Sequence, residues 1–308
     1  MSNWFYPSGS AADGRWDVSL GTADSPTIDT DWNYTGLKIA TFGAGDHISM
    51  NAVPEERIIV PLEGAFDATA GQKDFHLRGR ASVFSGPTDV LYAGTNTQLS
   101  LRSELGGRVA LTTAPATKSY PAQLILAEEI PVLMRGAGNC LRQVHNFGMP
   151  EALAADRILV CEVYTPAGNW SSYPPHKHDT DQDGETALEE IYYYEIQPSD
   201  PQVTPDGIAG IGYQRVYSSD ERPIDVNVEI RSGDVVLVPY GWHGPAMAPP
   251  GFDLYYLNVM AGPGLVRDWL TNDDPHHGWI RDTWADHGRQ PRRLFPREDE
   301  AFTPSIPR

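Results

Sequence analysis

Short runs of β-branched and aromatic residues, interrupted by Gly, Pro, Asp and Asn, recur from about residue 36 to residue 262. Examples are RIIVPL (57–62), RILVCEVY (157–164), EIYYYEI (190–196) and DLYYLNVM (253–260). Such runs favour strands, and their spacing is typical of β-sandwiches and barrels. The sequence therefore predicts an all-β fold of antiparallel sandwich or jelly-roll barrels with few short helices, at 150–156 and around 266–270.

A glycine-rich stretch at 134–150 separates two strand-rich halves. A chain of 308 residues is long enough for two β domains, each with its own core. We expect an N-terminal domain over 1–140 and a C-terminal domain over 141–308. After residue 262 the chain becomes polar, and we expect this tail to wrap over the second barrel.

The formal charge of −18, from 41 acidic and 23 basic residues, repels phosphate backbones and anionic membranes. We therefore expect neither nucleic acid nor a membrane as a partner.

Cys140 and Cys161 are too few for a disulfide framework, and we expect both to be reduced core thiols. No signal-peptide pattern and no run of about 18 apolar residues is visible, so the expected location is cytoplasmic.

Three histidines and a glutamate form the sharpest local pattern. His176 and His178 are two residues apart, so on an extended chain they point to the same side. Glu190 begins a strand run, and His243 follows a second run and a Pro/Gly turn. Unrelated surface histidines are the alternative, because two histidines at this spacing often occur by chance. Three imidazoles and a carboxylate suit Zn, Mn, Fe or Ni and leave positions open for a substrate.

A calcium-loop pattern overlaps the same residues, with Asp179, Asp181, Asp183 and Gly184 leading to Glu190 as the twelfth position. An EF-hand needs a helix on each side of this loop. Two prolines precede it and a tyrosine-rich strand run follows it. We therefore interpret the match as accidental.

The histidine pattern resembles the two motifs of the cupin superfamily, His-x-His followed by Glu, then Gly-x5-Pro-x-Gly before His. Eleven residues separate His178 from Glu190 where three or four are usual, Gln197 occupies a usual glycine position, and one residue separates Gly241 from His243 where two are usual. These departures leave Glu189, and Glu185 in the inserted loop, as alternative ligands. We prefer Glu190 because the superfamily glutamate immediately precedes an apolar strand.

The resemblance implies a bicupin. In its N-terminal half Thr95 stands where a ligand histidine is expected, and no His-x-His precedes Glu55 and Glu56. We expect a degenerate first cupin without metal that serves as packing and dimer surface. By analogy with other cupins, we expect a homo-oligomer.

Longer stretches resemble one family, the 5-deoxy-glucuronate isomerases of myo-inositol catabolism, which are kin to 4-deoxy-L-threo-5-hexosulose-uronate ketol-isomerase. These stretches are FSGPTDVLY (84–92), RGAGN (135–139), RQVHNF (142–147), PPHKHD (174–179), QRVY (214–217), DLYYLNVMAG (253–262) and WIRDTW (279–284). The resemblance implies that an aldose–ketose isomerase converts 5-deoxy-D-glucuronate, a small acidic sugar, to 5-dehydro-2-deoxy-D-gluconate.

This chemistry suits one divalent metal per chain, for which we favour Zn or Mn over Fe or Ni, because a Lewis acid stabilises the enediolate while a base moves a proton. For the base we choose Tyr240 first and His145 second, although either could serve only in packing. Arg142 and Arg215 are our candidates for the substrate carboxylate, since guanidinium matches its geometry.

Two other functions fit the same ligands. In a cupin dioxygenase the site would hold iron and use oxygen. In a non-enzymatic bicupin that binds sugar acids the metal would be structural, fully coordinated by protein and needed for folding.

Overall fold

A computed structural model describes residues 4–21, 32–219, 222–287 and 294–295. The strands of the first part of the chain are β1 (Phe5–Tyr6), β2 (Val18–Leu20), β3 (Gly36–Phe42), β4 (His47–Met50), β5 (Glu55–Ala70), β6 (Lys73–Arg80), β7 (Val90–Ala93), β8 (Leu99–Arg102), β9 (Gly107–Pro115) and β10 (Gln123–Ile125). Those of the second part are β11 (Val132–Arg135), β12 (Arg142–His145), β13 (Leu159–Thr165), β14 (Trp170–Ser171), β15 (His176–Lys177), β16 (Glu189–Pro198), β17 (Gly212–Tyr217), β18 (Asp225–Ile230), β19 (Val235–Val238), β20 (Trp242–Met247), β21 (Phe252–Ala261) and β22 (Asn272–Asp273).

These strands form three sheets, and their pairings are antiparallel. One sheet has the order β10-β7-β5-β9-β3-β2, and β4, β6 and β8 extend it through the far end of the long strand β5. A second has the order β1-β19-β16-β21-β13-β12-β11, and a third has the order β18-β17-β20-β15-β22, with β14 beside β20. The prediction of an all-β, antiparallel fold is confirmed.

The predicted helices at 150–156 and 266–270 are wrong. The first is a hydrogen-bonded turn, with the N–H groups of Ala152 and Leu153 donating to Met149. The second is irregular, and the Arg267 guanidinium there donates to backbone carbonyls of 148–158. Short 3-10 helices instead lie at Val83–Ser85, Ala127–Glu129, Gly138–Cys140 and Gly278–Asp286.

Strand pairing crosses the domain boundary that we predict at residue 140. β1 pairs with β19, so the first described residues belong to the sheet of the second half. β11, at Val132–Arg135, also joins that sheet through β12. Near the other end of the chain, the N–H groups of Leu294 and Phe295 donate to the Gln143 side chain in β12. Of the expected tail, 288–293 and 296–308 lie outside the described residues.

Two buried glutamates join the halves reciprocally. Glu56, in β5, accepts the backbone N–H groups of 156–158 at 2.5–2.8 Å. Glu189, in β16, accepts those of 33–35 at 2.7–3.2 Å. Each triplet immediately precedes a strand of the other half, β13 and β3 respectively. We call these contacts the two carboxylate clamps, and they relate the two large sheets strand for strand.

A buried ion pair also links the halves. Arg80, at the end of β6, contacts both carboxylate oxygens of Glu162 in β13, and its Nη1 also donates to the Tyr164 hydroxyl at 3.0 Å. The Tyr255 hydroxyl donates to the same carboxylate at 2.8 Å. Burial opposes ionisation of Glu162, but Arg80 and its hydrogen-bond partners hold its pKa at about 2. The carboxylate is therefore ionised and paired.

Cys161 is buried and Cys140 is half-buried, and neither forms a disulfide. The expectation that both are core thiols is therefore correct only for Cys161.

Within the described residues, no helix combines the length and apolar character needed to cross a membrane.

We predict that Glu56→Gln and Glu189→Gln each lower the free energy of unfolding by about 1–3 kcal/mol. An amide offers one acceptor oxygen where the clamp uses two, and its NH2 group would face backbone donors. Urea unfolding followed by tryptophan fluorescence measures the change. Glu63→Gln, exposed on the same strand as Glu56, is the control. Equal stability of Glu56→Gln and this control would contradict the proposed contribution of the clamps.

Candidate metal centre

Three histidines from two neighbouring strands converge in the second half of the molecule. His176 in β15 pairs directly with His243 in β20, and His178 follows two residues after His176. One nitrogen from each imidazole lies within 4.8 Å of the others, and all three side chains are buried. Lys177, between the two motif histidines, points away and pairs with Asp179 and Glu185.

Each imidazole is oriented through its Nδ1 atom by a backbone carbonyl. The partners are Pro174 for His176 at 3.4 Å, Leu188 for His178 at 3.3 Å and Gly241 for His243 at 3.2 Å. A proton on Nδ1 that donates to such a carbonyl leaves Nε2 with its lone pair free to bind a metal, which is how histidine ligands are commonly held.

Glu190 adds a carboxylate to this cluster. Its Oε2 lies 3.0 Å from Nε2 of His178 and 3.1 Å from Nε2 of His243. With Nδ1 protonated, these Nε2 lone pairs would face the carboxylate lone pairs, an arrangement that a cation between them stabilises. Among the described residues, Glu190 Oε1 and His243 Nε2 also have no hydrogen-bond partner although both are buried. The four side chains therefore fit a divalent metal.

The electrostatics of the cluster agree with this arrangement. Burial and the neighbouring imidazoles hold the pKa of His176 well below its usual value, so it stays neutral. Burial also opposes ionisation of Glu190, but His178 and His243 hold its pKa below its usual range. Burial lowers the pKa of His178, but its contact with Glu190 raises it above the usual value, so a metal that binds here competes with a proton at His178.

The two adjacent glutamates face opposite sides of β16, as the pleat of a strand requires. Glu190 faces the histidines, whereas Glu189 faces the first half and forms a carboxylate clamp. In the loop before them, Glu185 is engaged by Lys177 and Asn272. Strands β15 and β16 flank this loop where an EF-hand would have helices.

A cavity of about 370 Å³ opens beside His176. Three arginines reach it from separate elements: Arg135, Arg142 and Arg281. Its other walls include Ser172, Tyr256, Asn258, Trp269, Thr271 and Trp284. A polar cavity with three guanidinium groups beside a metal-ligand cluster can hold an anionic, oxygen-rich molecule.

The three arginines differ in how far the protein already engages them. Arg142 is buried, and among the described residues its Nη1 donates only to the backbone carbonyls of Cys140 and Tyr173, at 3.1 and 3.4 Å. Arg281 forms an ion pair with Asp273. The Arg135 guanidinium lies 5.0 Å from the centroid of the Trp269 ring. Burial lowers the pKa of Arg142, which indicates a desolvated cation that an incoming anion would stabilise.

Three of the four predicted catalytic and substrate-binding residues, Arg215, Tyr240 and His145, do not line this cavity. Arg215 is on the outer face of β17, where it pairs with Asp225 and stacks on Tyr217. The Tyr240 hydroxyl donates to the carbonyl of Pro223 at 3.2 Å, on the surface. These positions correct our placement of Arg215 and Tyr240 at the substrate.

His145 lies on the opposite side of its strand from Arg142 and Val144, which both line the cavity. Its Nδ1 is 3.2 Å from Glu162 and its Nε2 is 2.8 Å from the Gln143 side chain, inside the layer between the halves. Strand alternation therefore removes it from the cavity and corrects its suggested role as a base.

Sequence reasoning missed Arg135, Arg281 and Tyr256 as cavity residues. All three lie in stretches that carried the family resemblance, RGAGN, WIRDTW and DLYYLNVMAG. Tyr256 and Asn258 are two residues apart on β21, so they lie on the same face of the strand, and both line the cavity. This spacing was a further signal.

Comparison with known proteins gives consistent matches. The model of the KduI/IolB family matches residues 5–280. A protein named 5-deoxy-glucuronate isomerase from Geobacillus kaustophilus (strain HTA426) is 41% identical over 255 residues, covering 82% of this chain and 87% of that protein. One of the same name from Bacillus subtilis (strain 168) is 38% identical over 257 residues, covering 82% and 90%.

Solved structures agree. A crystal structure of an IolB-like protein from Salmonella typhimurium LT2 has 34% sequence identity and a TM-score of 0.79, covering 91% of this chain and 99% of that one. An oxalate decarboxylase from Bacillus subtilis has 12% identity and a TM-score of 0.59, covering 89% and 80%. The second likeness concerns the fold alone, and it confirms the predicted bicupin.

We predict that the protein retains about one divalent ion per chain and that His243→Ala and Glu190→Gln each reduce the retained metal at least about tenfold. Each change removes one ligand from the cluster. Elemental analysis after dialysis measures this content. His76→Ala, an exposed histidine of the first half, is the control. Full metal content in His243→Ala would show that the cluster is not the binding site.

Proposed function

The chain belongs to the KduI/IolB family, and from this membership we propose that it is an aldose–ketose isomerase, an intramolecular oxidoreductase that converts 5-deoxy-D-glucuronate to 5-dehydro-2-deoxy-D-gluconate. The observation that carries the proposal is the cavity lined by three arginines and by His176, one member of the histidine–glutamate cluster. A sugar acid has a carboxylate for the arginines and a carbonyl for the metal centre. The chain has a net charge of −18 and would repel an acidic substrate over most of its surface. The three arginines give this cavity a local positive charge at which such a substrate can bind.

His176, His178, Glu190 and His243 would hold one divalent ion, with Zn or Mn as our first choices and Fe or Ni as alternatives. When bound, it supplies a Lewis acid that polarises the substrate carbonyl and the adjacent hydroxyl. The backbone carbonyls behind the imidazoles engage the Nδ1 atoms, which leaves the Nε2 atoms for a metal, so the protein orients these rings before substrate binds.

The arginines orient the substrate. Arg142 is our first choice for its carboxylate, because it is buried in the cavity wall and no carboxylate of the described residues pairs with it. Arg135 would supply a second cation, while Arg281 is partly neutralised by Asp273. Holding the acid end of an open-chain sugar in this way fixes which carbons reach the metal centre.

Isomerisation moves one proton from C2 of the aldose to C1 and a second from the C2 hydroxyl to the C1 oxygen, so that the carbonyl passes from C1 to C2 without a net change in oxidation state. Tyr256 lines the cavity, and its hydroxyl lies 3.2 Å from the Ser172 hydroxyl. Burial raises its pKa to about 12, so it carries its proton at neutral pH. We assign it as the hydrogen-bond donor to the oxygen on which negative charge develops.

The proposal also includes the domain organisation, the oligomeric state, the location and the partners of the protein. We propose that residues 1–140 form a cupin without metal and that residues 141–308 carry the active site, with β1 and β11 completing the second sheet. A cytoplasmic homo-oligomer that acts on a small sugar acid is the state that we expect, with neither nucleic acid nor a membrane as a partner.

We predict that the metal-loaded protein converts 5-deoxy-D-glucuronate to the ketose under nitrogen and that the His176→Ala/His178→Ala double variant loses both metal and turnover. Proton NMR of the substrate follows the conversion. A requirement for oxygen would favour the dioxygenase, and bound metal without conversion would favour a sugar-acid-binding protein. Unfolding of the double variant would point to a structural metal.

We predict that Arg142→Gln raises the KM for the acidic sugar at least tenfold, because a charged hydrogen bond contributes about 1.5–3 kcal/mol. Arg215→Gln, which removes a surface ion pair with Asp225, should leave KM within about twofold. Initial rates of both variants measure the difference. A raised KM for Arg215→Gln together with an unchanged KM for Arg142→Gln would reverse the assignment.

A further inference from the structure

The carboxylate clamps give a residue-by-residue correspondence between the two large sheets. Glu189 forms one clamp and is followed by Glu190, which pairs with Val238 on β19 and Met260 on β21. Glu56 forms the other clamp and is followed by Arg57, which pairs with β7 and β9 in the same way. Arg57 therefore occupies, in the first half, the position of the metal-binding carboxylate. The charge at this position is reversed.

Arg57 is held inside the first barrel. Its side chain is 3% exposed, and two of its nitrogens donate to the backbone carbonyls of Asn51 and Thr97. Its Nε has no hydrogen-bond partner within the described ranges. A guanidinium has five N–H donors, so several have no partner in the part of the chain that the structure describes. Burial lowers the pKa of Arg57 and the nearby Glu55 raises it, but arginine remains charged.

Arg57 lines a cavity of about 350 Å³, close in size to the cavity beside His176. Lys38 and Arg15 add two cations to its walls, and Glu55 is a carboxylate of the lining. Lys38 lies with its Nζ 5.5 Å from the Trp16 ring centroid and forms no ion pair with any described residue. Arg15 shares its charge with Asp46. The walls thus carry three cations and one anion.

This arrangement disfavours a metal cation and favours an anion. A guanidinium at the position of Glu190 repels a divalent ion, whereas a carboxylate entering the cavity would meet unused donors and desolvated positive charge. Apolar walls from Ile48, Met50 and Leu111 would exclude water from a bound organic molecule.

We propose that the first barrel is a second ligand site, which binds a small carboxylic acid through Arg57 and Lys38 at the place where the second barrel binds metal. The site goes beyond the proposed isomerisation and does not depend on it. Its size suits an acid of sugar dimensions, and its carboxylate would complete the hydrogen bonding of Arg57.

The lysines provide a direct test, because the chain contains only Lys38, Lys73, Lys118 and Lys177. Reductive methylation with ¹³C-formaldehyde keeps their charge and gives each lysine its own methyl NMR signal, assigned by single Lys→Arg variants. D-glucuronate is the probe, and D-glucose is the matched neutral sugar. We expect the Lys38 signal to shift saturably with D-glucuronate but not with D-glucose or an equal concentration of sodium chloride. The exposed Lys73 and Lys118 should not shift in this way.

Arg57→Gln should weaken this binding at least about tenfold, and Arg102→Gln, an exposed arginine of the same half, should leave it unchanged. If Arg57→Gln fails to fold, Arg15→Gln at the exposed mouth should still weaken binding severalfold. A Lys38 signal that behaves like Lys73, or that responds equally to chloride, would overturn the proposal. Turnover is not part of this measurement, so its outcome is separate from the isomerase assignment.

Discussion

Two buried carboxylates hold the halves of this molecule in one register. Each glutamate accepts three backbone N–H groups of the segment that leads into a strand of the other half. Because side chains alternate along a strand, fixing Glu189 toward the first half fixes Glu190 toward the histidines. A slip of one residue would exchange the two and leave the metal centre without its carboxylate. The contact between the halves and the geometry of the site thus depend on the same pair of neighbouring residues.

The sequence predicted the all-β fold, and it singled out four side chains that the structure brings together, His176, His178, Glu190 and His243, because both depend on local patterns. Strand runs, a two-residue histidine spacing and a Pro/Gly turn before His243 can each be read within a few residues. The eleven-residue loop before Glu190 did not obscure the pattern, since β15 and β16 bring its ends together.

The rest of the site depends on which face of each strand meets which cavity, and a single sequence does not contain that information. Arg142 and His145 lie on one strand and were equally plausible, yet their odd spacing sends them to opposite faces. Arg281 comes from a 3-10 helix more than a hundred residues away in sequence from Arg142. Arg215 is on a strand whose outward face could be recognised only once its pairing with Asp225 was known.

The pairing of β1 with β19, in the sheet of the second half, also constrains when the protein can fold. Phe5–Tyr6 pairs with Val235–Val236, so β1 cannot pair with its partner strand until more than two hundred further residues have been made. The segment 33–35 likewise waits for Glu189. During synthesis the first barrel must therefore persist with its ends unattached, exposed to chaperones or to mispairing with another nascent chain. The second sheet, which carries Glu190 on β16, is complete only when it pairs with β1.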